Sequence, residues 1–115
     1  MEYIVEYTET FESWWSGLSE AEQKDIAAVI ELLEKLGPHL PFPYSSRING
    51  SKHREMRELR IQHRGKPYRT LYAFDPRRAA ILLIGGNKAG DKRWYPKHIA
   101  IADVLFDQHL KRLGK

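Results

Sequence analysis

The segment AAILLIG, residues 79–85, is apolar at every position up to its closing glycine and so has no side to offer to water. A run this short reads as a strand buried on both faces, and therefore as a central strand of a sheet. Two further strands precede it, roughly Arg54 to Gln62 and Pro67 to Phe74, with turns around Arg64-Gly65 and Asp75-Pro76. Near the N-terminus, Tyr3 to Tyr7 alternates β-formers with glutamates and reads as a first strand.

The remaining apolar residues recur at helical spacing. Phe11, Trp14, Trp15 and Leu18 mark a short helix capped by Thr8 or Thr10, with the tryptophans packed on the sheet. Ser19 and Glu22 form a capping box, after which Ile26, Val29, Ile30, Leu33 and Leu36 make one stripe that ends at Gly37-Pro38. Residues 39–51, rich in Pro, Ser and Gly, read as a loop. A last helix from about Pro96 places Ile99, Ala102, Phe106, Leu110 and Leu113 on one face, the proline fitting its first turn. The order is βααβββα, an α+β arrangement. At 115 residues it fits one domain spanning 1–115.

Charge is divided unevenly along the chain. Residues 1–46 carry nine carboxylates and two lysines, a balance of −7; the rest carries 17 cations and six carboxylates, a balance of +11. A net charge of +4 therefore conceals an acidic half and a basic half, and points to a localised phosphate-binding face. The basic residues fall on two strands and in the cluster GGNKAGDKRWYPKH, with aromatic side chains among them, which makes RNA the expected anion. Arg77, Arg78 and Lys111 read as solvated surface. The chain has no cysteine, so it holds neither a disulfide framework nor a thiolate metal site. With no signal-peptide pattern at MEYIVEY and no apolar run of membrane-spanning length, the expectation is a soluble, cytoplasmic protein without a membrane partner.

The stretch from ELR through YRTLYAFDP, then the apolar strand, GGNK and a Tyr at the start of the last helix, resembles the RelE/HigB superfamily of bacterial type II toxins, in particular its HigB-like, phage-derived branch. The resemblance covers nearly the whole chain. It implies a small RelE-like fold: a twisted, mainly antiparallel sheet with two helices on one side, a C-terminal helix and a basic concave surface. It also implies an endoribonuclease that cleaves mRNA on the ribosome without a metal or other cofactor. The implied partners are a cognate antitoxin, a helix-turn-helix DNA-binding protein in this branch, and promoter DNA only through that antitoxin.

Metal-free RNA cleavage uses the ribose 2′-OH as internal nucleophile, so a protein must accept its proton, stabilise the phosphorane and help the 5′ oxygen leave. Arg69 matches the family's transition-state arginine, and arginine binds phosphate bidentately while remaining charged. Lys88 falls where relatives carry another cation, and Tyr95 matches a family tyrosine able to meet a base or join proton transfer. For the general base two candidates stand open. Glu58 lies on the same strand face as Arg60 and is either the base or a salt-bridge partner of Arg60 or Arg69; His98 is either a base or a solvated helix-start residue. Arg57, Arg60, His63, Arg64, Lys66, Lys92 and Arg93 are candidate RNA contacts, Arg57 with the smaller effect because it points opposite to Arg60 in a regular strand. His53, beside a loop, reads as a phosphate contact or a bystander.

Other chemistries fit poorly. His98 and His109 stand about 16 Å apart along a helix and cannot share a metal. Gly85 and Gly90 have phosphate-loop spacing, but Asp91 follows where a lysine is required. Two further readings remain: a ParE-like, non-enzymatic inhibitor of DNA gyrase on the same fold, and a plain RNA-binding domain.

Overall fold

The elements assemble around one five-stranded sheet in the computed structural model, which describes residues 2–114. Val5–Tyr7 (β1) leads into two helices, Glu9–Ser16 (α1) and Glu20–Leu36 (α2), the latter closed by a 3-10 turn at Gly37–His39. Ser45–Arg47 (β2), Arg57–His63 (β3), Lys66–Phe74 (β4) and Ala80–Asn87 (β5) follow, and Trp94–Arg112 (α3) ends the fold. The strand order is β1-β5-β4-β3-β2, antiparallel except for the parallel β1–β5 pair. As its composition requires, β5 is an interior strand.

The first helix is capped by Thr8. Its hydroxyl accepts from the Phe11 N–H at 3.0 Å and donates to the Leu83 carbonyl at 2.6 Å, so one side chain starts α1 and fastens it to β5. Ser19 and Glu22 make the expected capping box, with bonds of 3.1 and 2.7 Å. Alternation along the strands then sorts the core into two layers. Leu59, Ile61, Tyr68, Tyr72 and Leu82 pack with Phe11, Ile26, Val29 and Leu33 beneath α1 and α2. Leu71, Ala73, Ile81 and Leu83 pack with Trp94, Ile99, Ala102 and Phe106 beneath α3.

Besides β1 beginning at Val5 rather than Tyr3 and β5 running on to Asn87, four expectations change. Residues 39–51 contain a short strand, β2, which pairs antiparallel with β3 from Ser45↔Leu59 to Arg47↔Arg57; three polar residues carry no alternation by which to recognise it. β3 begins at Arg57 rather than Arg54, because residues 51–53 are held by α3 instead of the sheet. The Ser51 hydroxyl donates to Asp103 at 2.5 Å, the Lys52 N–H to Asp103 at 3.1 Å, and His53 Nε2 meets Asp107 at 2.8 Å. α3 starts at Trp94, with Pro96 still inside its first turn, where a missing N–H costs nothing. Leu36 is 40% exposed, and Leu40, brought inward by the 3-10 turn, joins the core beyond Leu33 instead.

An irregularity in the β4–β5 ladder sets the geometry of the site. Leu71 pairs with Ile84 but Tyr72 with Leu82, so β5 carries one extra residue and its phase shifts. Beyond the bulge Gly86 lies opposite Arg69 and Gly85 opposite Thr70. Tryptophans sit against these glycines, Trp14 from α1 on Gly85 and Trp94 from α3 on Gly86. A Cβ at either position would lie 2.3 Å from the Trp14 ring or 2.7 Å from the Trp94 indole nitrogen. The absence of side chains at both positions lets α1 and the start of α3 approach the sheet.

Candidate active site

β3 and β4 place Arg60 directly opposite Arg69. Like charges in that position repel, so the pair needs a counter-charge. Glu58 supplies it. Two residues before Arg60 on the same strand face, it is 3% exposed, and its two oxygens are shared among three partners. Oε1 accepts from the Tyr95 hydroxyl at 2.7 Å and lies 3.5 Å from Arg69 Nε; Oε2 accepts from Arg60 Nη1 at 3.2 Å. Arg69 is itself 4% exposed, and its Nη1 donates to the Tyr68 carbonyl at 3.0 Å. Its Nε, with no solvent contact, has no hydrogen-bond partner of good geometry among the described residues.

Tyr95 reaches Glu58 from the first turn of α3, which the packing of Trp94 on Gly86 brings down onto the sheet. Burial pushes the Tyr95 phenol above its ordinary value, and donation to Glu58 adds to this, partly offset by Arg69. Lys88, just beyond β5, is anchored by its N–H to the Pro67 carbonyl at 3.0 Å and carries its ammonium 5.6 Å from the Tyr95 ring centroid. A cavity of about 320 Å³ lined by Arg47, Ile48, Asn49, Glu58 and Tyr95 opens beside the Glu58–Tyr95 pair. With Arg60, Arg69 and Lys88 set against one carboxylate, the cluster keeps surplus positive charge, and a phosphate is a suitable complement.

Four of the five expected catalytic residues, Arg69, Lys88, Tyr95 and Glu58, are thus linked by contact. His98 is held apart. Its Nδ1 donates to the Trp94 carbonyl at 2.8 Å, and its ring stacks on the Trp94 indole at 4.1 Å between centroids.

The expected RNA contacts divide. Arg60 belongs to the cluster. Arg57 points to the opposite face, as expected, and its Nε donates to the Ser45 hydroxyl at 3.0 Å. His63 is a correction: it shares the phase of Leu59 and Ile61, is 8% exposed, and turns inward to Asp25 of α2, with its ring edge-on to Tyr68. The same parity rule that places Arg57 places His63. Arg64 and Lys66 are exposed at the β3–β4 turn, and Lys92 and Arg93 on the approach to α3. His53 also has a structural partner set, Asp107 and the edge of Phe106. Arg77 is exposed, as expected of surface, and in addition bridges Glu6 and the buried Asp75.

One contact beside the cluster leaves no local signal in the amino-acid sequence. Phe42, within residues 39–51, lies against Arg60, with the guanidinium carbon 5.1 Å from the ring centroid. Only the edge pairing of this segment with β3 brings it there.

The chain is also similar, in sequence and in fold, to known proteins. The family described as phage-derived protein Gp49-like (DUF891) matches residues 13–107. Two similar proteins of Mycobacterium tuberculosis (strain ATCC 25618 / H37Rv) bear the names "Putative toxin HigB2" and "Putative toxin HigB3". The first is 42% identical over 104 residues, 89% of this chain but only 52% of that protein, so the chain spans about half its length. The second is 45% identical over 93 residues, 80% of each chain. Among solved structures, the fold is similar to that in the archaeal RelE–RelB complex from Pyrococcus horikoshii OT3, with a TM-score of 0.57 at 16% identity over 78% of this chain and 99% of that one. It is also similar to a mutant of the E. coli toxin RelE in the free state, with a TM-score of 0.58 at 14% identity over 82% and 92%.

Proposed function

Because this chain belongs to the phage-derived Gp49-like family, we propose that it is a HigB-like toxin of a type II toxin–antitoxin system and acts as a metal-independent endoribonuclease on ribosome-bound mRNA. The observation that carries the reading is the contact set of Arg69, Arg60, Glu58 and Tyr95 with Lys88 above it. Such a set fits phosphoryl chemistry at a ribose.

In this mechanism the scissile phosphate binds Arg69 and Lys88. The 2′ oxygen attacks phosphorus, its proton passes to the Tyr95 oxygen, and the Tyr95 proton moves along the existing hydrogen bond to Glu58. Arg69, held in place by Glu58 and the Tyr68 carbonyl, answers the charge that develops on the phosphorane. The 5′ oxygen leaves with Lys88 stabilising its charge and takes a proton from solvent. Products are a 2′,3′-cyclic phosphate and a 5′-hydroxyl. Glu58 is thus both the ion-pair partner that orders the arginines and the final proton acceptor.

A cognate antitoxin, with a helix-turn-helix domain binding promoter DNA, is the partner of this reading. That the archaeal neighbour was solved as a RelE–RelB complex is consistent with it.

The test is inducible expression followed by mapping of mRNA ends. Expected are growth arrest, cuts in translated messages bearing cyclic or 3′-phosphate ends, persistence in chelator that spares the ribosome, and no cut at a deoxyribose. Intact messages together with blocked supercoiling by purified gyrase would replace the nuclease with the ParE-like alternative.

A further inference from the structure

We propose that Phe42 and Tyr44 form a stacking platform for a base of single-stranded RNA, placed beside the arginines that hold its phosphate; this rests on the RNA reading above. Phe42 is 68% exposed and Tyr44 42%, and isolated exposed aromatics of this kind are common on protein surfaces. These two differ in what fixes them and in what lies next to them. The Tyr44 carbonyl accepts from the Arg60 N–H at 2.8 Å, and the N–H groups of Tyr44 and Ser45 both donate to the Pro41 carbonyl, at 3.0 and 3.1 Å. Pro41 and Pro43 flank Phe42 and restrict its backbone further. Both rings are therefore presented on a frame tied to the site's own strand.

Arg60 joins the two halves. Its guanidinium is bonded to Glu58 and lies against the Phe42 ring, so a nucleotide bridging these positions meets a cation for its phosphate and π faces for its base. Tyr44, Arg60, Gln62 and Arg69 line one cavity of about 310 Å³, whose opposite wall is Asp25 and Val29 of α2. Gln62, exposed and two residues beyond Arg60, has an amide able to meet a base edge. Stacking accepts any base, so the platform supplies affinity and position more than sequence readout.

The test is fluorescence anisotropy with a labelled six-nucleotide single-stranded RNA and a series in which one nucleotide at a time is abasic. Losing one aromatic partner is expected to weaken binding about tenfold in Phe42→Ala or Tyr44→Ala. Phe42→Trp should retain affinity, and unchanged thermal melts would establish that the variants fold. One abasic position should cost wild type about tenfold and cost Phe42→Ala little, since both changes remove the same stack. Undiminished affinity in both alanine variants, penalties that add in full, no RNA binding by wild type, or loss of antitoxin binding with RNA binding intact would each overturn the platform. The nuclease reading is judged separately by Arg69→Ala. If cleavage survives that change while the abasic coupling holds, the nuclease falls and the platform stands; if cleavage is lost and no coupling appears, the platform falls alone.

Discussion

Glu58 is central to the site because its two oxygens face one hydroxyl and two guanidinium groups. Glu58→Gln keeps the volume but removes the charge, leaving Arg60 and Arg69 opposed without compensation and the proposed proton relay without an acceptor. Its turnover should fall by about 10²-fold or more, while RNA binding, now to a more positive surface, should hold or tighten; turnover near wild type would remove Glu58 from the reaction. Tyr95→Phe should likewise lower turnover with little change in apparent affinity, since the ring under Lys88 remains. Because the Tyr95 phenol titrates above its usual value, no loss of activity through its ionisation should appear in a pH profile until beyond about pH 10. Arg69→Ala leaves Glu58 its bonds to Arg60 and Tyr95, so the variant should fold. It should nonetheless lose about two orders of magnitude in cleavage and with them growth arrest, read by colony formation alongside circular dichroism. His98→Gln should cost much less than Glu58→Gln; the reverse ranking would make the imidazole the base.

At the scale of elements, two of the junctions between helices and sheet lend themselves to test. Gly85→Ala should destabilise the fold by about 1–3 kcal/mol, because the added methyl meets the Trp14 ring, and Trp14→Leu should restore part of the loss in urea titrations. The other junction is Asp75, whose carboxylate is buried between β4 and β5 and accepts from Arg77, from the backbone N–H of Ala79 and from His109 of α3. Burial pushes this carboxyl up, but the bonds from Arg77, His109 and the backbone outweigh it and hold it below the usual carboxylate range. A folded-state value below the unfolded one contributes stability above the unfolded value, and that stability is lost as pH falls through the folded value. The stability difference between wild type and Asp75→Asn should therefore be largest near neutrality and shrink as pH drops below about 4. A difference that stays constant down to pH 3 would show that the charge of Asp75 does not stabilise the junction.

Over the whole molecule, the uneven charge of the sequence becomes two faces. The acidic N-terminal half supplies α1 and α2 on one side of the sheet, whereas Arg60, Arg69 and Lys88 gather on or beside the other. RNA or ribosome affinity should consequently fall steeply with salt. Arg60→Gln and Lys88→Gln should each reduce the slope of log affinity against log salt by about 0.7, and Arg57→Gln should leave it nearly unchanged. Equal slopes for all three would mean that binding does not depend on this face.

Periodicity, capping residues and the turn pairs at Arg64-Gly65 and Asp75-Pro76 were sufficient to determine the order of the long elements, and strand parity to separate Arg57 from Arg60, because these depend on neighbours within a few residues. Parity would have turned His63 inward by the same argument. The strand β2 and the late start of β3 were decided by partners far along the chain, Leu59 and Arg57 for the first and Asp103 and Asp107 for the second. The same holds for the site. Strand spacing puts Glu58 and Arg60 on one face, but the bulge that phases Gly86 against Arg69, the descent of Tyr95 onto Glu58, and the arrival of Phe42 at Arg60 are results of packing between distant segments. Local sequence sets which way a side chain can point; only the tertiary fold decides what it meets there.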